Sequence, residues 1–214
     1  MKRLIGVLAS AALVVGSLSV AHAAEKHLFY VHGCCIQGKN DPKVKAYETI
    51  VQELKSSGFS VSFELRTADI YDSNAQAMEY AERIAGQVRD LLAKGTAPED
   101  ITVAGYSLGS RITLVASGLI ANPKVNFVLI AGCPIKETIP IDYSKVKGRV
   151  LSIRDAKDDK FESCDGCLPE GITYKEVVLN SGEGHAVFRL TDEKYLKLWK
   201  EPLVAWSKGE LSGR

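Results

Sequence analysis

Apolar positions along the chain change period again and again, and the changes follow one order. His27-Leu-Phe-Tyr-Val-His32 is a short apolar run that predicts a strand ending at Gly33. Asp41-Pro42 supplies an N-cap and a first-turn proline, and Tyr47, Ile50, Val51 and Leu54 then recur at helical spacing until Gly58. Phe59 to Leu65 alternates with period two, as a half-exposed strand does. A longer helical stripe follows, with Ala81, Ile84, Ala85, Val88, Leu91 and Leu92 on one face and Gly95 as its stop. Ile101 to Ala104 is the next strand, and Arg111 to Ala116 open a helix that ends before Asn122-Pro123. Val125 to Ala131 is apolar throughout, as in a parallel strand covered on both faces. Val150–Ile153 and Tyr174–Leu179 are two more strands. Thr191 is the expected cap of a closing helix that carries Tyr195, Leu196, Leu198 and Trp199, with Pro202 bending or splitting it. Strands separated by helices imply right-handed crossovers. The pattern predicts an α/β fold: a three-layer α/β/α sandwich around a mostly parallel sheet of about six strands.

The first residues do not belong to that alternation. Lys2 and Arg3 precede an apolar, small-residue run from Leu4 to Val20, and Ala21-His22-Ala23 is an A-x-A cleavage site. The division expected is a signal peptide at 1–23 and one domain at 24–214, placing the mature chain in the periplasm or outside the cell. The full chain of 214 residues has a formal charge of +1, and loss of Lys2 and Arg3 leaves 25 basic against 26 acidic residues. That balance offers nucleic acid or an anionic membrane no electrostatic attraction. A small molecule is the expected partner, and no cofactor or metal is called for.

The candidate chemistry sits between the third strand and its helix. Gly105-Tyr106-Ser107-Leu108-Gly109 is a G-x-S-x-G, and strand before with helix after make it a nucleophile elbow. The glycines are needed because strand and helix cross closely beside a strained serine. Of the three histidines left after residue 23, only His185 lies beyond Ser107, in the polar loop Asn180-Ser-Gly-Glu-Gly-His185 after the last strand. An imidazole there, with an ordinary pKa of about 6.5, suits a general base working near neutrality.

These residues, over His27 to the final helix, resemble a minimal alpha/beta-hydrolase lacking the first two family strands. The resemblance implies the order nucleophile, acid, histidine, with each group on a loop at the C-terminal sheet edge. It places the acid at Asp158, after the strand Val150–Ile153. Asp155 is the alternative, reserved here for capping the turn, Asp159 a solvated neighbour, and Glu137 and Asp142 weaker candidates on the preceding loop. His32-Gly33-Cys34 resembles the family's oxyanion loop, so the implied donors are the backbone N–H groups of Cys34 and Leu108, with His32 organising the loop. The stretch between Gly132 and Gly148 has no room for an inserted cap. The activity implied is acyl transfer from an ester or thioester by a Ser107–His185–Asp158 triad. The alternatives from other classes are a non-catalytic binding protein of the same fold and a thiol–disulfide protein using Cys164 and Cys167.

All five cysteines lie beyond residue 23: Cys34, Cys35, Cys133, Cys164 and Cys167. In an exported chain they read as disulfide formers, with one left over. Cys164-Asp-Gly-Cys167 has proline and glycine after it rather than a helix, which favours a structural staple over a redox pair. Its two cysteines are expected to bond to each other, with a link to Cys34 or Cys35 as the competitor.

Overall fold

A computed structural model of the chain describes residues 24–34, 36–67, 74–134 and 141–213. The signal-peptide expectation, Cys35 and Glu137 lie outside them. The main strands are β1 (Lys26–Val31), β2 (Phe59–Phe63), β3 (Ile101–Tyr106), β4 (Asn126–Ile130), β6 (Arg149–Asp155) and β8 (Thr173–Leu179). They form one sheet in the order β2-β1-β3-β4-β6-β8, every neighbouring pair parallel. Two short strands, β5 (Cys133–Pro134) and β7 (Phe161–Glu162), make a separate antiparallel ladder above the sheet.

Among the described residues, four α-helices cover the two faces, and the strand pleat decides which residues meet which. Leu28, Tyr30, Ala104, Tyr106, Val128, Ile130, Leu151 and Ile153 point to one face, under α1 (Pro42–Ser56) and α4 (Glu193–Ser207). Phe29, Val31, Ile101, Val103, Phe127, Leu129 and Val150 point to the other, under α2 (Asn74–Ala93) and α3 (Leu108–Ile120). Two dry layers result, each with odd or even strand positions on one side.

Local signals act as the sequence suggests for α1. The Asp41 carboxylate accepts the Lys43 N–H at 2.9 Å, Pro42 occupies the first turn, and Gly58 takes φ +94° just past the end. The closing helix adds detail to the expectation. Asp192 rather than Thr191 is its N-cap residue, Leu198 faces solvent, and Pro202 lies inside one continuous helix. Leu203 and Trp206, beyond the proline, carry the buried face onward from Leu196 and Trp199. A proline removes one backbone donor, and here the apolar stripe on both sides holds the helix together regardless.

The sheet order places the chain's reversal between β1 and β3: β2 lies outside β1, and later strands add outward from β3. Loops leaving the C-terminal ends of strands on either side of such a reversal bound a natural crevice. His32 leaves β1 there and Ser107 leaves β3.

Candidate active site

The elbow is built by steric exclusion. A Cβ on Gly105 would overlap the Gly109 carbonyl, and one on Gly109 would overlap the carbonyl of Val31. Only with hydrogen at both positions can α3 start directly against β1 and β3. Ser107 between them has φ +58° and ψ −116°, a strained conformation for a residue with a side chain. The strain is held by its surroundings: the Ser107 N–H donates to the Ile130 carbonyl at 3.1 Å, and the Ser107 carbonyl accepts from Ser110 N–H at 2.9 Å. Although Ser107 is the N-cap residue of α3, its hydroxyl makes no capping bond. It meets His185 Nε2 at 3.0 Å instead.

His185 comes from the turn of 3₁₀ helix after β8 (Gly184–Arg189), and its Nδ1 lies 2.8 Å from Asp158 Oδ2. Asp158 is supplied by the turn after β6, and its carboxylate is fully buried while the imidazole keeps a small exposed edge. The other carboxylate oxygen, Oδ1, accepts the backbone N–H groups of Lys160 at 2.9 Å and Phe161 at 3.2 Å. Serine, imidazole and carboxylate thus form one hydrogen-bonded line, joining residues 78 and 27 positions apart.

Two features bring the β6 and β8 loops together. Asp155 is buried and accepts the Lys157 N–H at 2.9 Å, the Ser181 N–H at 2.9 Å and the Ser181 hydroxyl at 2.6 Å. Burial alone would raise its pKa, but those bonds to Ser181 and Lys157 hold it below the usual value. Gly184, at φ +58°, lets the β8 loop pass the Lys157 carbonyl, which a Cβ would approach to 2.9 Å. Asp155 therefore caps and ties the loops, Asp159 is exposed, and Asp142 is engaged with Ser144 and Lys145 in its own turn. Among the described candidates, only Asp158 is brought to His185.

Phe161 covers one side of His185. Its ring stacks on the His185 imidazole with centroids 5.2 Å apart and planes 15° apart. Pairing of Phe161 with Pro134 in the β5–β7 ladder fixes the ring, and a disulfide locks the ladder. That disulfide corrects the expected pairing. Cys164 bonds to Cys133, with Cα atoms 5.1 Å apart, and Cys167 is an exposed free thiol. Because the antiparallel register sets Cys133 opposite Glu162, it stands within disulfide reach of Cys164, and both are buried. The sequence shows the closeness of Cys164 and Cys167 but not the two-residue strands that bring Cys133 nearer. The bridge still staples the acid-bearing loop, from the opposite partner. Cys34 is disulfide-bonded as well.

His32, the other histidine near the crevice, is not placed as a base. Its Nε2 accepts the Arg66 N–H at 2.8 Å, its Nδ1 faces the Gly33 carbonyl at 2.6 Å, and the Arg66 guanidinium donates to the His32 carbonyl. An acceptor Nε2 makes Nδ1 the protonated nitrogen. Burial, with the Arg66 charge adding to it, pushes its pKa down to about 3. It is a neutral strut shaping the loop that delivers Gly33 and Cys34. Leu108 begins α3, and its N–H belongs to the helix's first turn, where amides lack helical partners. Among the described residues, no group of three or more His, Cys, Asp or Glu side chains could hold a metal ion, and no helix is long and apolar enough to cross a membrane.

Comparison with solved structures places this architecture. SOBER1 of Arabidopsis thaliana superposes with a TM-score of 0.53 at 18% identity, covering 88% of this chain and all of that one. The chain has the alpha/beta-hydrolase fold. Esterase PE8 superposes at 0.53 with 16% identity over 88% of this chain and 94% of its own. A carboxylesterase from Mesorhizobium loti does so at 0.52 with 14% identity, over 85% and 89%. No family model matches the sequence, and no curated protein matches it either.

Proposed function

We propose that the mature protein is an exported serine hydrolase that cleaves a small-molecule ester or thioester through an acyl-enzyme. Ser107 Oγ attacks the carbonyl carbon while His185 Nε2 takes its proton. Asp158 orients the imidazole and stabilises its cation, and the N–H groups of Cys34 and Leu108 receive the oxyanion. His185 then returns the proton to the leaving group, and water, activated by the same base, releases the acid. The carrying observation is the line Asp158–His185–Ser107, at 2.8 Å and 3.0 Å, ending on a serine held at a strained elbow. The esterases of the same fold support the reaction class. Export rests on the basic, apolar and A-x-A sequence of residues 1–23, and the disulfide at Cys133 and Cys164 fits an oxidising compartment.

Hydrolysis of nitrophenyl esters of graded acyl length tests the reading, with Ser107→Ala as its control. A folded Ser107→Ala is expected to lose several orders of magnitude in kcat. Activity within tenfold of the parent in that variant would remove Ser107 from the chemistry.

A further inference from the structure

Tyr106, the residue before the elbow serine, has a place in the site that the G-x-S-x-G pattern does not specify. Strand alternation turns its side chain to the α1/α4 face, where it is buried. Its phenol donates to the main-chain carbonyl of His185 at 3.0 Å. Its ring packs against the His185 imidazole at 5.2 Å between centroids and against Phe188 at 5.8 Å. On the far side, a Cβ at Gly33 would stand 3.1 Å from the same ring, so the oxyanion loop rests directly on it.

We propose that Tyr106 is a positioning residue for the base. The inference rests on the triad reading of Ser107, His185 and Asp158. The loop bearing His185 has exposed residues at Asn180, Gly182 and Glu183 and runs through two left-handed glycines. Its side chains are tied by Ser181 to Asp155, by Glu183 to the Tyr195 hydroxyl and by His185 to Asp158, and its backbone by Gly184 against Lys157 and by the His185 carbonyl on Tyr106. The last acts on the base itself. Through it, nucleophile and base share a short path: Ser107, its neighbour Tyr106, one hydrogen bond, His185. Any shift of the end of β3 carries both partners of the 3.0 Å proton-transfer contact together. Burial pushes the phenol pKa up to about 12, against a partial pull downward from Arg189, so the donor stays protonated throughout the working range of an imidazole base.

The experiment is Tyr106→Phe in the mature chain, which keeps the ring against Gly33 and Phe188 and removes only the hydroxyl. The kcat on a short-chain nitrophenyl ester is expected to fall about 10- to 100-fold, the scale of a sub-ångström to ångström misplacement of a reacting group. KM should stay within twofold, and inactivation by a fluorophosphonate should slow in parallel, since it uses the same serine and base. If Tyr106→Phe is unfolded at the assay temperature, the same split between kcat and KM is read at a lower temperature at which it folds. A folded Tyr106→Phe with parental kcat and inactivation rate overturns the proposal, as does a rise in KM alone. A parent protein that the fluorophosphonate does not modify overturns the triad reading, and this inference with it.

Discussion

Replacing Asp158 by asparagine changes one oxygen to an NH₂ group, and the surrounding bonds decide where it goes. Oδ1 is committed as acceptor to two backbone donors, Lys160 N–H at 2.9 Å and Phe161 N–H at 3.2 Å. The amide oxygen must take that place, which turns the NH₂ toward His185 Nδ1, 2.8 Å away. Two N–H groups cannot face each other at that distance. His185 is therefore driven to the tautomer with its proton on Nε2, pointing at Ser107 Oγ. A base that already carries its proton toward the nucleophile cannot accept another, and the cation formed in the reaction loses its counter-charge. The expected loss in kcat is about 10⁴, equivalent to about 5.5 kcal/mol in the barrier. Asp155→Asn supplies the contrast. It weakens the bonds to Ser181 and Lys157 that join the two loops, at a cost of about 1–3 kcal/mol in stability. Its kcat should remain within tenfold. Steady-state hydrolysis of a nitrophenyl ester, with thermal melts of both variants, makes the measurement. A nearly active Asp158→Asn, with Asp155→Asn the more damaged enzyme, would refute the reasoning.

Peptide mapping without reduction should recover Cys133 linked to Cys164 and Cys167 open to alkylation, whereas a peptide closed between Cys164 and Cys167 would contradict the β5–β7 register. Replacing both bridged cysteines by serine should cost about 3 kcal/mol and lower kcat through the Phe161 platform. Neutral His32 gives a pH signature. The unfolded chain protonates it below about 6.5 and the folded protein only near 3, so stability is lost as pH falls through that window, by up to about 1.4 kcal/mol per unit. His32→Gln should flatten that slope in urea titrations between pH 6 and 4, and an unchanged slope would mean that His32 is not held neutral.

What the sequence makes legible, and what it hides, follows from the range of each interaction. Period and punctuation give the parallel sheet and the faces of its helices, because the pleat and the helical turn act within a few residues. The elbow is legible for the same reason: Gly105 and Gly109 are local signs of a contact so close that only hydrogen fits. Asp158 is reached only through the family resemblance, and His185 through that resemblance together with its being the one histidine beyond Ser107. The β5–β7 ladder is hidden, since two-residue strands leave no period to read, and with it goes the correct partner of Cys164. Cross-chain polar ties are hidden too. Nothing in Arg66 or Tyr106 announces that one will fix the His32 tautomer and the other hold the His185 carbonyl, 34 and 79 residues away. Thr191 and Asp192 show the opposite limit, where adjacent residues are both cap-forming types and a boundary one residue off cannot be read from sequence; Asp192 takes the N-cap position without a side-chain capping bond.

The central claim is that Ser107 is a nucleophile activated by His185, and covalent labelling tests it most directly. The protein, treated with a fluorophosphonate and digested, should carry one adduct on the peptide containing Gly105 to Gly109, assigned to Ser107. Ser107→Ala should carry none, and His185→Ala should react far more slowly than the parent. A folded parent protein that stays unmodified, or an adduct that persists in Ser107→Ala, would contradict the account.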